Sequence, residues 1–110
     1  MRALIIKQPW INYILDGKKT WEIRGSNTNV RDEIELIQSG SGLVVGKCKV
    51  TDCKKLTIDD YKQNKKYHQI DNVDALPYKN TFAWILEKAE RYNNPRKYKH
   101  PKGAIIWVKL

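Results

Sequence analysis

Acidic residues are scarce in this chain, and the scarcity is concentrated in one half. Twelve Asp and Glu stand against 21 Lys and Arg over 110 residues, a formal net charge of +9. Residues 1–60 hold ten cations and eight acids, whereas residues 61–110 hold eleven and four. Arg96, Lys97, Lys99 and Lys102 follow one another with no acid between them. An excess of that sign attracts polyanions, of which nucleic acid is the commonest. Cysteine is nearly missing too, with Cys48 and Cys53 alone. Their C-x4-C spacing lacks a second ligand pair, and clustered carboxylates for another metal are not evident, so no metal and no cofactor is expected. Both cysteines read as reduced thiols. The two histidines, His68 and His100, stand alone in sequence and read as surface or loop groups, not as an acid–base pair for RNA cleavage. No apolar run nears the ~20 residues of a membrane span. The opening MRALIIK is too short for the core of a signal peptide. The expectation is one cytoplasmic, monomeric domain over residues 1–110 with no membrane partner.

What is present is a run of short periodic segments. RALII reads as a buried strand. Pro9 suits the first turn of a helix over Pro9–Asp16, with Gly17 as its left-handed terminator. KTWEIR alternates, placing Trp21 and Ile23 on one side and Glu22 and Arg24 on the other. EIELI is a second alternating strand, SGSG a turn, and LVVGKCKVTDCKKLT a long strand bending at Gly46. Thr57 is an N-cap for a helix over Ile58–Tyr67, with Asp59 and Asp60 in its first turn. DNVDALPYKN is loop or short helix. The period-2 spacing of Phe82, Trp84 and Leu86 favours a strand in TFAWILEKAERY. NNPRKYKHPKG is a basic loop, and AIIWVKL a closing strand. The β-α-β-β-β-α-β-β order predicts an α+β, mainly β fold: a curved antiparallel barrel with two or three short helices.

Four stretches carry a family resemblance. Gly17, Lys19, Glu22 and Arg24 form G-x-K-x-x-E-x-R; Gln8, Pro9 and Trp10 form Q-P-W; Ala83–Leu86 reads AWIL; Pro101, Gly103 and Trp107 form P-x-G-x3-W. Together, in this order, they resemble the ASCH domain family of the PUA-like β-barrel superfamily. One departure is Asp32, where the family commonly has glycine after the residue matching Arg31. The resemblance implies a PUA-like barrel with a cleft between the first helix and the sheet, lined by the signature residues. It implies RNA or another nucleic-acid-related ligand. Some members resemble coactivator modules, some cleave RNA, and some small ones hydrolyse acylated cytidine nucleosides. Those hydrolases resemble K-T-x-T-x-R here; Lys19, Thr20 and Arg24 match, but Glu22 stands in place of the second threonine, so their mechanism does not transfer directly.

The chemistry of these residues suits such a ligand. A carboxylate at Glu22 beside Arg24 and Lys19 stays ionised and oriented, able to accept from the exocyclic amine of cytosine or adenine. Lys19 and Glu22 are also the candidates for catalysis, Lys19 as a desolvated amine base or a phosphate clamp. A regular strand would put Lys19 on the wrong side for Glu22, so the turn after Gly17 must break the alternation. Trp10 is a candidate base platform, whereas Trp21, Trp84 and Trp107 are expected mainly in the core. Gln8 can read a base edge. Asn27 and Arg31 follow the signature in a loop, with Arg31 the candidate for a phosphate. Arg96, Lys97, Tyr98, Lys99 and Lys102 mix cations with an aromatic ring as a backbone-tracking surface would, and Lys47 extends it. The expected partner is RNA or single-stranded nucleic acid, or a nucleoside; the alternative to a binder is a small hydrolase on a modified nucleoside, or a ribonuclease.

Overall fold

The computed structural model describes all 110 residues. Its elements run β1 (Arg2–Ile6), α1 (Trp10–Leu15), β2 (Trp21–Arg24), β3 (Glu33–Gln38), β4 (Leu43–Lys55), α2 (Ile58–Gln63), α3 (Lys65–His68), β5 (Phe82–Lys97) and β6 (Trp107–Lys109). No helix is long and apolar enough to cross a membrane.

Helix α1 forms because Ile11, Ile14 and Leu15 fall on one face and are buried there. Gly17 ends it at φ +80°, and its N–H donates to the Ile14 carbonyl at 3.1 Å. The Lys18 and Lys19 N–H groups both donate to the Tyr13 carbonyl, at 2.9 and 3.0 Å, turning the chain sharply toward β2. Thr57 caps α2 as expected. Its Oγ1 accepts from the Asp60 N–H while its own N–H donates to the Asp60 carboxylate, at 3.1 and 2.9 Å. The single helix expected to Tyr67 is two. Asn64 leaves helical geometry (φ −117°, ψ 29°) and its side-chain amide takes the Asp60 carbonyl at 2.7 Å, which ends α2.

The six strands make one sheet in the order β2-β5-β4-β3-β1-β6. This corrects the expected antiparallel barrel in two ways. The β1–β3 pair is parallel, because α1 and β2 supply the crossover that parallel pairing needs. The order is also open: β2 and β6 are edges that do not pair. The sheet nonetheless curls. Arg24, on edge strand β2, donates to the Ile5 carbonyl of β1 at 2.9 Å, although three strands separate the two in the order. Irregular pairing along β4 and β5, at Val44/Gly46, Lys47/Lys49 and Val50/Asp52, supplies bends of the kind bulges produce. The main core lies inside this curl, with Leu4, Ile14, Ile34, Val50, Trp84 and Leu86 all buried.

Two boundaries differ from the sequence reading. The first half of the expected basic loop is strand: Leu43 and Val44 of β4 pair with Lys97 and Arg96, extending β5 to 16 residues. The closing strand is shorter, because only Arg2, Ala3 and Leu4 find partners in β6, leaving Ile105 80% exposed. Residues 69–80 form neither helix nor strand.

Candidate functional site

The site is organised by β2. Glu22 pairs with Trp84 and Arg24 with Phe82, so both charged side chains share the inner face of the curl. Ile23 points the other way into a cluster with Leu56, Tyr61 and Ala83, and Trp21 stacks on Tyr67 at 5.1 Å between ring centroids. The Leu86 N–H donates to the Thr20 carbonyl at 2.7 Å, which fixes the ladder phase. The backbone groups of Glu22 therefore face β5, and those of Ile23 face the free edge.

Lys19 precedes β2, and the turn after Gly17 breaks the alternation, so its amine reaches the inner face. It is only 2% exposed. Its Nζ donates to the His68 carbonyl, lies 4.0 Å from Glu22 Oε1 and sits 4.9 Å from the Trp10 ring centroid. Burial lowers its pKa to about 8; Glu22 opposes that shift and Arg24 adds to it. Arg24 donates through Nε and Nη2 to the single oxygen Glu22 Oε2, at 3.0 and 2.8 Å, and lies 5.5 Å from the Trp84 ring centroid. Glu22 Oε1 is left facing the Lys19 ammonium alone. The three charges are deeper than a surface ion pair would be, with Glu22 6% exposed.

They open onto a cleft of about 660 Å³ along the free edge of β2. Trp10, Lys19, Glu22, Ile23 and Arg24 form one wall, and Leu76, Pro77 and Tyr78 of the segment before β5 form the other. A Cβ on Gly25 would come within 2.8 Å of the Tyr78 ring, so glycine there lets that wall close in. Lys7 and Ile105 also line the cleft. Of these, Lys7, Ile23, Tyr78 and Ile105 had no individual signal in sequence. The apolar Leu76–Tyr78 run inside a polar, aperiodic segment was the visible trace of the second wall.

His68 is fully buried, correcting the expectation of a surface group. Its ring stacks on Tyr61, its Nε2 lies 2.7 Å from the Tyr61 carbonyl, and Nδ1 accepts from the Ile70 N–H at 3.0 Å. Nε2 therefore carries the proton. Burial lowers its pKa, and the neutral ring serves as a strut that places the carbonyl holding Lys19.

The remaining candidates are dispersed. Gln8 and Asn27 are exposed and outside the cleft wall. Arg31 donates to the Thr28 and Val30 carbonyls at 2.9 and 2.8 Å, holding its own loop. Lys47 lies between Glu33 and Glu90, at 3.6 and 3.8 Å. Arg96 is bound to Glu35 by two hydrogen bonds, at 2.8 and 3.2 Å, beside the Tyr92 hydroxyl, which donates to Glu35 at 2.7 Å. Burial works against ionising Glu35, but the bonds from Arg96 and Tyr92 outweigh it and hold its pKa low. Burial, then Glu35, pushes the Tyr92 phenol up to about 12. Lys97, Lys99 and Lys102 are exposed and carry no acidic partner. Tyr98 is half-buried against His100. Cys48 and Cys53 are free thiols, and burial pushes Cys48 up to about 12. No three His, Cys, Asp or Glu side chains gather where they could hold a metal ion.

A family model described as "ASCH domain" matches residues 4–96. Among solved structures, ASCH from Zymomonas mobilis superposes with a TM-score of 0.75 at 12% identity, covering 99% of this chain and 86% of that one. Two single-substitution mutants of that protein superpose at 0.76, also at 12% identity and 99% of this chain, with 87% and 88% of theirs covered. Likeness at that identity concerns the fold. No curated protein matches the chain by sequence.

Proposed function

The chain belongs to the ASCH domain family, and from that premise we propose that it binds single-stranded nucleic acid, RNA above all, holding one base in the cleft beside β2. The observation that carries this reading is the state of Glu22. One oxygen is fully used by Arg24, while Oε1 faces the cleft with only the Lys19 ammonium, 4.0 Å away. A fixed acceptor beside the free backbone groups of Ile23 matches the donor–acceptor edge of cytosine or adenine. Their exocyclic amine would donate to Glu22 Oε1, and their ring nitrogen would accept from the Ile23 N–H. Trp10 and Tyr78 supply rings at the cleft walls, and the unpaired lysines of the Lys97–Lys102 stretch supply the sequence-independent attraction.

Titration of the protein with single-stranded RNA and DNA oligonucleotides at two salt concentrations tests this. Affinity falls steeply with salt, RNA rich in C or A binds tighter than poly-U, and Glu22→Gln abolishes that preference. Absence of binding at physiological salt refutes the reading and favours a protein-interaction module.

A second reading has one specific observation behind it: an amine with a pKa brought down to about 8 is neutral often enough to act as a base near neutrality. The domain would then hydrolyse an acylated cytidine nucleoside, with Lys19 taking a proton from water. Turnover of such an uncharged nucleoside with little salt dependence, abolished by Lys19→Ala, is its signature.

A further inference from the structure

A second cleft of about 580 Å³ adjoins the first. Its walls are the turn at Ser39, Gly40 and Gly42 and the loop carrying Tyr98, His100 and Ala104. Ile5, Lys7, Ser39 and Ile105 line both clefts, so the two share a border. None of the nine residues lining the second cleft is acidic.

We infer that these are consecutive nucleotide subsites: the second takes the nucleotide next to the one whose base lies beside Glu22, and Lys7 meets the phosphodiester between them. The inference rests on the reading of the first cleft as a base site. Four observations support it. Lys7, at the shared border, is exposed and makes no salt bridge, unlike Lys47 and Arg96. Ile105, also at the border, is a large apolar side chain left 80% exposed, the kind of group that slips between two unstacked bases. The second wall is firmly built: His100 Nε2 lies 2.8 Å from the Ala104 carbonyl and so carries the proton, which leaves Nδ1 to accept from the Tyr98 hydroxyl at 2.8 Å. That chain holds two rings in place at one side of the cleft, where a base can stack. On the other side, Gly40 and Gly42 (φ +79° and +71°) have nothing within 4 Å of where a Cβ would sit, so the turn is open to a ribose. The natural ligand is then an oligonucleotide rather than a lone nucleoside.

The test compares the four nucleosides with the dinucleoside monophosphates ApA, CpC, GpG and UpU by calorimetry and by amide chemical shifts. The best dinucleoside monophosphate binds about tenfold or more tightly than its nucleoside, and its methylphosphonate analogue, which lacks the linking charge, loses most of that gain. The Gly40, Gly42 and Ala104 amides shift with the dinucleoside and not with the nucleoside. In Lys7→Gln, Ile105→Ser and His100→Ala, the ratio of dinucleoside to nucleoside affinity falls toward one; near-wild-type amide spectra establish that each variant is folded. If nucleosides bind at the first cleft but the second nucleotide adds nothing, or shifts only first-cleft amides, the two-subsite inference fails and the base site stands. If neither nucleosides nor dinucleosides bind, the base site fails with it.

Discussion

Both donors of the Arg24 fork end on the same oxygen of Glu22, at 2.8 and 3.0 Å. The other oxygen is thereby reserved, and the pair is buried enough for each charge to depend on the other. Removing one partner of a buried ion pair leaves an uncompensated charge, at a cost of about 3 kcal/mol. Glu22→Gln should therefore lower the free energy of urea unfolding by roughly that much, since it strands both Arg24 and Lys19. A loss below about 0.5 kcal/mol, the range of an exposed pair, would contradict the burial described here.

Lys19 makes stability depend on pH in a window where few groups do. Its amine titrates near 8 when folded and near 10.5 when unfolded. Between those values the unfolded chain holds a proton that the folded chain has released, so this residue adds stability as pH rises from about 8 to 10.5. Below about pH 8 the amine is charged in both states, and its burial is a constant penalty. Lys19→Met removes the titration. The stability of this variant minus that of wild type should fall by up to ~3 kcal/mol across the window, at 1.36 kcal/mol for each pH unit. A difference that stays flat from about pH 8 to 10.5 would show that the amine is not desolvated.

The cations of the basic stretch separate into two kinds. Arg96 is occupied by Glu35, whose carboxylate also accepts from the Tyr92 hydroxyl, whereas Lys97, Lys99 and Lys102 have no acidic partner. Single-strand binding releases counterions in proportion to the phosphates met, with a log–log salt slope of about 0.7 per contact. Lys99→Ala and Lys102→Ala should each reduce the slope by about that amount. Arg96→Met should destabilise the fold and leave the slope unchanged; a reduced slope in this variant would mean that Arg96 abandons Glu35 for a phosphate.

At Gly46 of β4, both α1 and β5 pack tightly against the backbone. A Cβ there would overlap the Glu90 carbonyl oxygen and the Leu15 side chain. Leucine can rotate away, but a backbone carbonyl cannot move without disturbing the β4–β5 pairing. Gly46→Ala should cost about 2–3 kcal/mol, as overpacked cores do, read as a lowered denaturation midpoint. Gly40→Ala adds no overlap, and its penalty should come from the positive φ alone.

The local grammar of the chain was readable because short-range physics sets it. Gly17 ends α1, Thr57 caps α2, and the alternation of Glu22 and Arg24 puts both on one face, all from neighbours within four positions. The signature motif brought Lys19, Glu22 and Arg24 together on paper, as they are in space. What the sequence hid is long-range. The parallel β1–β3 pair depends on which strand the crossover returns to, and periodicity does not encode that. Arg96 looked like its neighbours until the fold set it beside Glu35, 61 positions earlier. His68 looked exposed because its partners, the Tyr61 carbonyl and the Ile70 N–H, are backbone groups with no residue-type signature. Tyr78 reaches the first cleft from a segment without regular structure, and Ile105 reaches both from a stretch that reads as strand but whose ladder begins only at Trp107.

No ladder joins β2 to β1; the Arg24 guanidinium on the Ile5 carbonyl spans that gap. Parting the two costs a side-chain bond and not one strand pairing. The molecule has a seam there, running beside the cleft, and it is closed by one guanidinium where every other neighbouring pair of strands is closed by a ladder.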